Sequence, residues 1–68
     1  MKWIKIEDAT PEQLEEELLG LNANNNDILL GYYIIEPRRK IPMIEMDSVS
    51  LLNPTHIIPR SELIKLED

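Results

Sequence analysis

The eight residues Ile28-Leu29-Leu30-Gly31-Tyr32-Tyr33-Ile34-Ile35 constrain this chain more than any other feature. The run is apolar, bounded by Asp27 and Glu36, and far shorter than the roughly 20 apolar residues that span a bilayer. Its length, its branched and aromatic side chains and the turn-forming Pro37-Arg38-Arg39-Lys40 behind it predict a strand over 28–36. Neither face of that strand is polar, so a central position covered on both sides is expected. Gly31 within it marks a bulge or a bend.

The chain has 68 residues, so the rest must assemble around this strand as a single domain, 1–68. Residues 1–6 alternate as a short strand, with Trp3 expected as a core or rim anchor. The clearest local signal follows over 10–21. Thr10 suits an N-cap, Pro11 the first helical position, and Gln13 completes a capping box. Gly20 then suits the residue just past a helix end. Leu14, Leu18 and Leu21 share one helical stripe facing a core, with Glu12, Glu15, Glu16 and Leu19 on the other side. The asparagine-rich 22–27 reads as a polar loop. Further short strands are expected over 41–46, 49–52 and 55–58, with Pro42 arguing for an edge position. Arg60-Ser61-Glu62 reads as a turn and Leu63 to Glu67 as the last strand. The expected fold class is α+β: one N-terminal helix packed on a small antiparallel sheet or an SH3-like partly closed barrel.

Composition excludes several chemistries. There is no Cys, which removes disulfides, thiolate zinc sites, Fe–S clusters and a cysteine nucleophile. His56 is the single histidine, with no nucleophile or orienting carboxylate beside it in sequence, and it reads as a packing or hydrogen-bonding group. Asn24, Asn26 and Asp27 lack the glycine and the terminal Glu of an EF-hand loop. No enzyme activity, metal or cofactor is therefore expected. No signal-peptide segment opens the chain, so a cytoplasmic protein with no membrane partner is expected. A domain this small buries only about 60% of the surface its unfolded chain exposes, which leaves room for homo-oligomerisation to add stability.

Pro59-Arg60-Ser61-Glu62-Leu63-Ile64-Lys65-Leu66 resembles the end of SH3-like barrels, where a Pro leads into a short turn and a final strand. Only Tyr32 and Tyr33 are available for an aromatic groove, so polyproline binding does not carry over. Trp3-Ile4, Asp8 and Pro11 resemble the opening, and Thr55-His56-Ile57-Ile58-Pro59 the close, of a family of short phage and prophage proteins of unknown function. Ile57 stands where that pattern has an aromatic. The resemblance implies a phage or mobile-element origin, hence a host-cell cytoplasm, and carries no activity with it.

Charge supplies the functional expectation. Acids outnumber bases 13 to 7, for a net charge of −6. Most of the excess lies before residue 28, so the field is directional. Helical carboxylates three and four apart can meet a basic surface and steer encounter. The expected function is a non-enzymatic protein-interaction module, specifically a phage-type inhibitor or regulator of a host protein that handles nucleic acid. Its host partner would present a basic surface, and Glu12, Glu15, Glu16 and Leu19 would form the contact. The alternative is a small nucleic-acid-binding barrel using Arg38, Arg39 and Lys40. Three bases in one turn of an acidic protein make a weak phosphate footprint, which ranks that alternative second.

Overall fold

The computed structural model describes residues 2–65. In chain order these form β1 (Ile4–Lys5), a 3₁₀ turn (Ile6–Asp8), α1 (Pro11–Glu15), β2 (Leu18–Asn22), β3 (Asp27–Ile35), β4 (Pro42–Met46), β5 (Val49–Leu52), β6 (His56–Pro59) and α2 (Arg60–Lys65). The six strands make one antiparallel sheet in the order β1-β6-β2-β3-β4-β5.

The long β3 serves both halves of the sheet. Residues Asp27 to Gly31 pair with β2, and Tyr32 to Ile35 pair with β4. The change of partner falls at Gly31, where an added Cβ would run into the carbonyl of Glu45. Only glycine lets the two backbones approach so closely, and this is the bend expected from sequence. The halves then face one another. Gly20 of β2 lies under Ile44 of β4, with no room for a Cβ between them. Leu18, Ile44, Leu51 and Ile57 fill the space between the halves, flanked by Ile4, Ile6, Ala9, Leu14, Leu29 and Tyr33.

The expected architecture is corrected on several counts. The fold is mostly β, with two short helices, and the longer of them is C-terminal. The sheet is not closed into a barrel: β1 and β5 stand at its two ends. The expected helix over 10–21 stops at Glu15, and Glu16 is already extended (φ −87°, ψ 165°). Leu18, Gly20 and Asn22 are buried while Leu19 and Leu21 are half-buried, a period of two rather than 3.6. Pairing with β3 on one side and β6 on the other gives Leu18 to Leu21 ladder partners along both edges. A short helix on a shallow sheet would offer less burial, so tertiary pairing overrides local helix preference.

The segment expected to form the last strand is instead α2, up to Lys65; Leu66 and Glu67 lie outside the described residues. Its first turn is held by the α1–β2 connection. The Ser61 N–H donates to the Glu16 carboxylate (2.8 Å), and the Arg60 N–H donates to the Glu17 carbonyl (2.9 Å). The Arg60 guanidinium also pairs with the Glu17 carboxylate at 2.8 Å. Pro42 does not lie on an edge strand: β4 is internal, and Pro42 opens it, where a missing N–H is tolerated. Finally, β3 is central in the sheet but covered on one face only, since Ile28, Leu30, Tyr32 and Ile34 are exposed.

Candidate functional site

Strand register determines which side chains share the uncovered face. Leu19 lies opposite Leu30, Leu21 opposite Ile28, Tyr32 opposite Glu45, and Ile34 opposite Met43. Directly opposite residues project to the same side of an antiparallel pair. Along β3 the outward row is therefore Ile28, Leu30, Tyr32 and Ile34, between 38% and 56% exposed. Leu19 and Leu21, half-buried, extend it toward β6, whereas on the β4 side Met43 is buried, at 6% exposed. Glu45 is the one charged member of these pairs. On the far side of Leu19 lies Ile58, 1% exposed, where α2 packs against β6. That end of the face is covered, while β3 is open.

The residues expected to bind a partner do not form one helical face. Glu12 and Glu15 are exposed on α1. Glu16 lies just past that helix, where it accepts the Ser61 N–H. Leu19 sits on β2 within the apolar face. The sequence of β3 is evenly apolar on both sides, which predicts double burial and hides the fact that one side is exposed.

Arg38, Arg39 and Lys40 stand at the exposed tip of the β3–β4 hairpin. Glu36 organises that tip. Its carboxylate accepts the backbone N–H of Arg39 (2.7 Å) and of Arg38 (3.2 Å) and lies 3.5 Å from the Arg39 guanidinium. These contacts, the Arg39 N–H foremost, hold the Glu36 pKa below its ordinary value, against a smaller opposing effect of desolvation. Lys40 takes a left-handed conformation (φ 58°), and its N–H donates to the Glu36 carbonyl at 2.8 Å. Part of the basic charge of the turn is thus offset by the acid that shapes it.

His56 lies on β6, opposite Lys5 and Leu21. Its Nδ1 is 2.7 Å from the Thr55 hydroxyl, which is itself bonded to the Leu21 carbonyl. The asparagines of the β2–β3 turn bond to their own backbone: Asn22 accepts from the Asn24 N–H, and Asn25 accepts from the Asp27 N–H. Among the described residues no group of three or more His, Cys, Asp or Glu side chains is placed to hold a metal ion. No helix among them is long and apolar enough to cross a membrane.

A concave feature lies where the sheet fails to close. Between the β2–β3 turn and β5 is an open pocket of about 370 Å³, lined by Asn22, Asn25 and Asp27 on one side and Ser50 to Asn53 on the other. The Asn22 side chain reaches across it and donates to the Leu52 carbonyl at 3.0 Å.

No protein family, no curated protein and no solved structure matches this chain.

Proposed function

We propose that this chain is a non-enzymatic protein-interaction module whose contact surface is the outer face of β3, centred on Leu30 and Tyr32 with Leu19 beside them. One observation carries the reading: four successive outward residues of the longest strand are large, apolar and exposed. Contiguous apolar surface on a small domain is characteristic of an interaction site. The sheet holds the face rigid, and two aromatic or branched anchors at its centre suit a contact core.

The narrower reading is a phage-encoded inhibitor or regulator of a host protein that handles nucleic acid. It draws support from the excess of acids before residue 28, which would steer the face toward a basic surface. Within it, Glu12 and Glu15 serve steering, Leu19 serves burial, and Glu16 is occupied in capping α2.

Affinity capture from host lysate, with mass spectrometry of the bound proteins, tests the proposal when run on the parent and on Leu30→Lys. Leu30 is 43% exposed, so the substitution should leave stability nearly unchanged. A protein held by the parent and released by the variant is expected. Equal capture by both forms would move the contact off this face.

A further inference from the structure

The free edge of β5 is built to accept another strand. We infer that an extended, basic segment of a partner protein adds to the sheet there, with one cationic side chain entering the pocket toward Asp27. The inference rests on reading the chain as an interaction module, but concerns a surface other than the outer face of β3.

Hydrogen-bond parity identifies the free groups. The Asn53 N–H donates to the Pro42 carbonyl at 2.9 Å, and β4 and β5 continue in that register with Leu51 opposite Ile44 and Val49 opposite Met46. In an antiparallel ladder, alternate residues turn their N–H and C=O inward. Val49 and Leu51 therefore bond to β4, while Ser50 and Leu52 turn theirs to the open side. The Asn22 side chain confirms the direction independently, because it finds the Leu52 carbonyl on that side. Among the described residues, the Ser50 N–H, the Ser50 C=O and the Leu52 N–H remain for an incoming backbone.

Edges are commonly guarded against such pairing by charge, proline or short length. The opposite edge has such guards: β1 is two residues long and ends on Lys5, with Glu7 and Asp8 following. The β5 edge, Val49-Ser50-Leu51-Leu52, carries no charge and no proline, and Val49 and Leu52 are 57% and 49% exposed. Strand addition uses backbone groups for affinity and adjoining pockets for specificity. The adjoining pocket here runs along Ser50 to Asn53, and its ionisable side chain is Asp27. A carboxylate in the slot, on a chain of net charge −6, selects a basic occupant and disfavours a second copy of this acidic protein.

The test is an NMR titration of the full chain with a blocked seven-residue peptide in which lysine alternates with valine and threonine, alongside its analogue with glutamate for lysine. The lysine peptide should shift the Ser50 and Leu52 amide signals, and the glutamate analogue should not. Ser50→Pro removes an N–H that β4 does not use, and should weaken binding about tenfold. Asp27→Lys should weaken it to a similar degree and, lying outside β5, carries the test alone if the proline variant does not fold. An unmoved spectrum at millimolar lysine peptide overturns the inference, as does equal binding of the glutamate analogue. Protection of the Ser50 and Leu52 amides in the free protein, at the mass of a dimer, would assign the edge to a second copy and overturn it as well. Leu30 variants report on the β3 face and Ser50 and Asp27 variants on this edge, so either reading can fail without the other.

Discussion

Thr55 bonds the Leu21 carbonyl twice, through its backbone N–H at 2.7 Å and its hydroxyl at 3.1 Å. The same hydroxyl accepts the Ala23 N–H at 3.0 Å. One side chain therefore ties the β5–β6 corner to the end of β2 and to the start of the β2–β3 turn. Thr55→Val keeps the shape and removes all three hydroxyl contacts, to the Leu21 carbonyl, the Ala23 N–H and His56 Nδ1, leaving the Ala23 N–H without its acceptor. We expect a loss of about 1–3 kcal/mol in a urea titration. Thr55→Ser, which keeps the oxygen, should recover most of it.

The two glycines should respond differently to the same added methyl group. At Gly20 the obstacle is the Ile44 side chain, which can shift; at Gly31 it is the Glu45 backbone, which cannot. Gly20→Ala should cost about 1–3 kcal/mol as an overpacked core. Part of that cost should be relieved in a double-mutant cycle with Ile44→Ala, which removes the Cγ1 atom in the way. Gly31→Ala should be the more damaging, and no side-chain truncation on β4 should rescue it. Thermal unfolding of the four variants decides between these outcomes.

What could be read from the residues alone divides along physical lines. The start of α1 was legible because capping is local: Thr10 accepts the Gln13 N–H at 3.2 Å, and Gln13 returns the bond at 2.9 Å. The bend at Gly31 and the strand positions from residue 28 to 58 were legible from period and turn residues. The end of α1 was not. Leu14, Leu18 and Leu21 satisfy a helical spacing, yet Leu18 and Leu21 belong to a strand held between β3 and, far along the chain, β6. For the same reason the residues of α2 read locally as a turn over 60–62 and the start of a strand from Leu63: the groups that hold the first turn of the helix, Glu16 and Glu17, are remote in sequence. The pocket beside β5 has no local signature, because it exists only where the sheet stays open.

Glu36 gives the hairpin tip a pH dependence. Its carboxylate is stabilised in the folded turn by the Arg39 N–H first, then by the Arg38 N–H and the Arg39 guanidinium, so its folded pKa is lowered. A lowered carboxylate pKa contributes stability that is present above the unfolded value and lost as pH falls through the folded one. The Arg38 and Arg39 amide signals should therefore shift together on acidification, with a midpoint below the ordinary glutamate value. Glu36→Gln should abolish that titration. A midpoint at the ordinary value would show that the carboxylate does not hold the turn.

Asn22 offers the sharpest chemical test of the open seam. It is the buried polar side chain of β2, 9% exposed, and its two ends do opposite work. Oδ1 accepts the Asn24 N–H at 2.9 Å, while Nδ2 donates to the Leu52 carbonyl at 3.0 Å. Asn22→Ala removes both bonds and should cost about 1–3 kcal/mol. Asn22→Asp is nearly isosteric and keeps the acceptor for Asn24. It also sets a carboxylate oxygen against the Leu52 carbonyl, acceptor facing acceptor, at a side chain only 9% exposed. At neutral pH it should be at least as destabilising as the alanine variant. That repulsion and the burial both favour the protonated acid, so the introduced carboxyl should have a raised folded pKa. Its penalty is then largest above that pKa and shrinks as pH falls through it, when the acid O–H can donate to Leu52. Chemical denaturation of parent and variant at neutral pH and at about pH 4 reads the difference. A gap between parent and Asn22→Asp that stays constant across this range would mean that the side chain does not bridge β2 to β5.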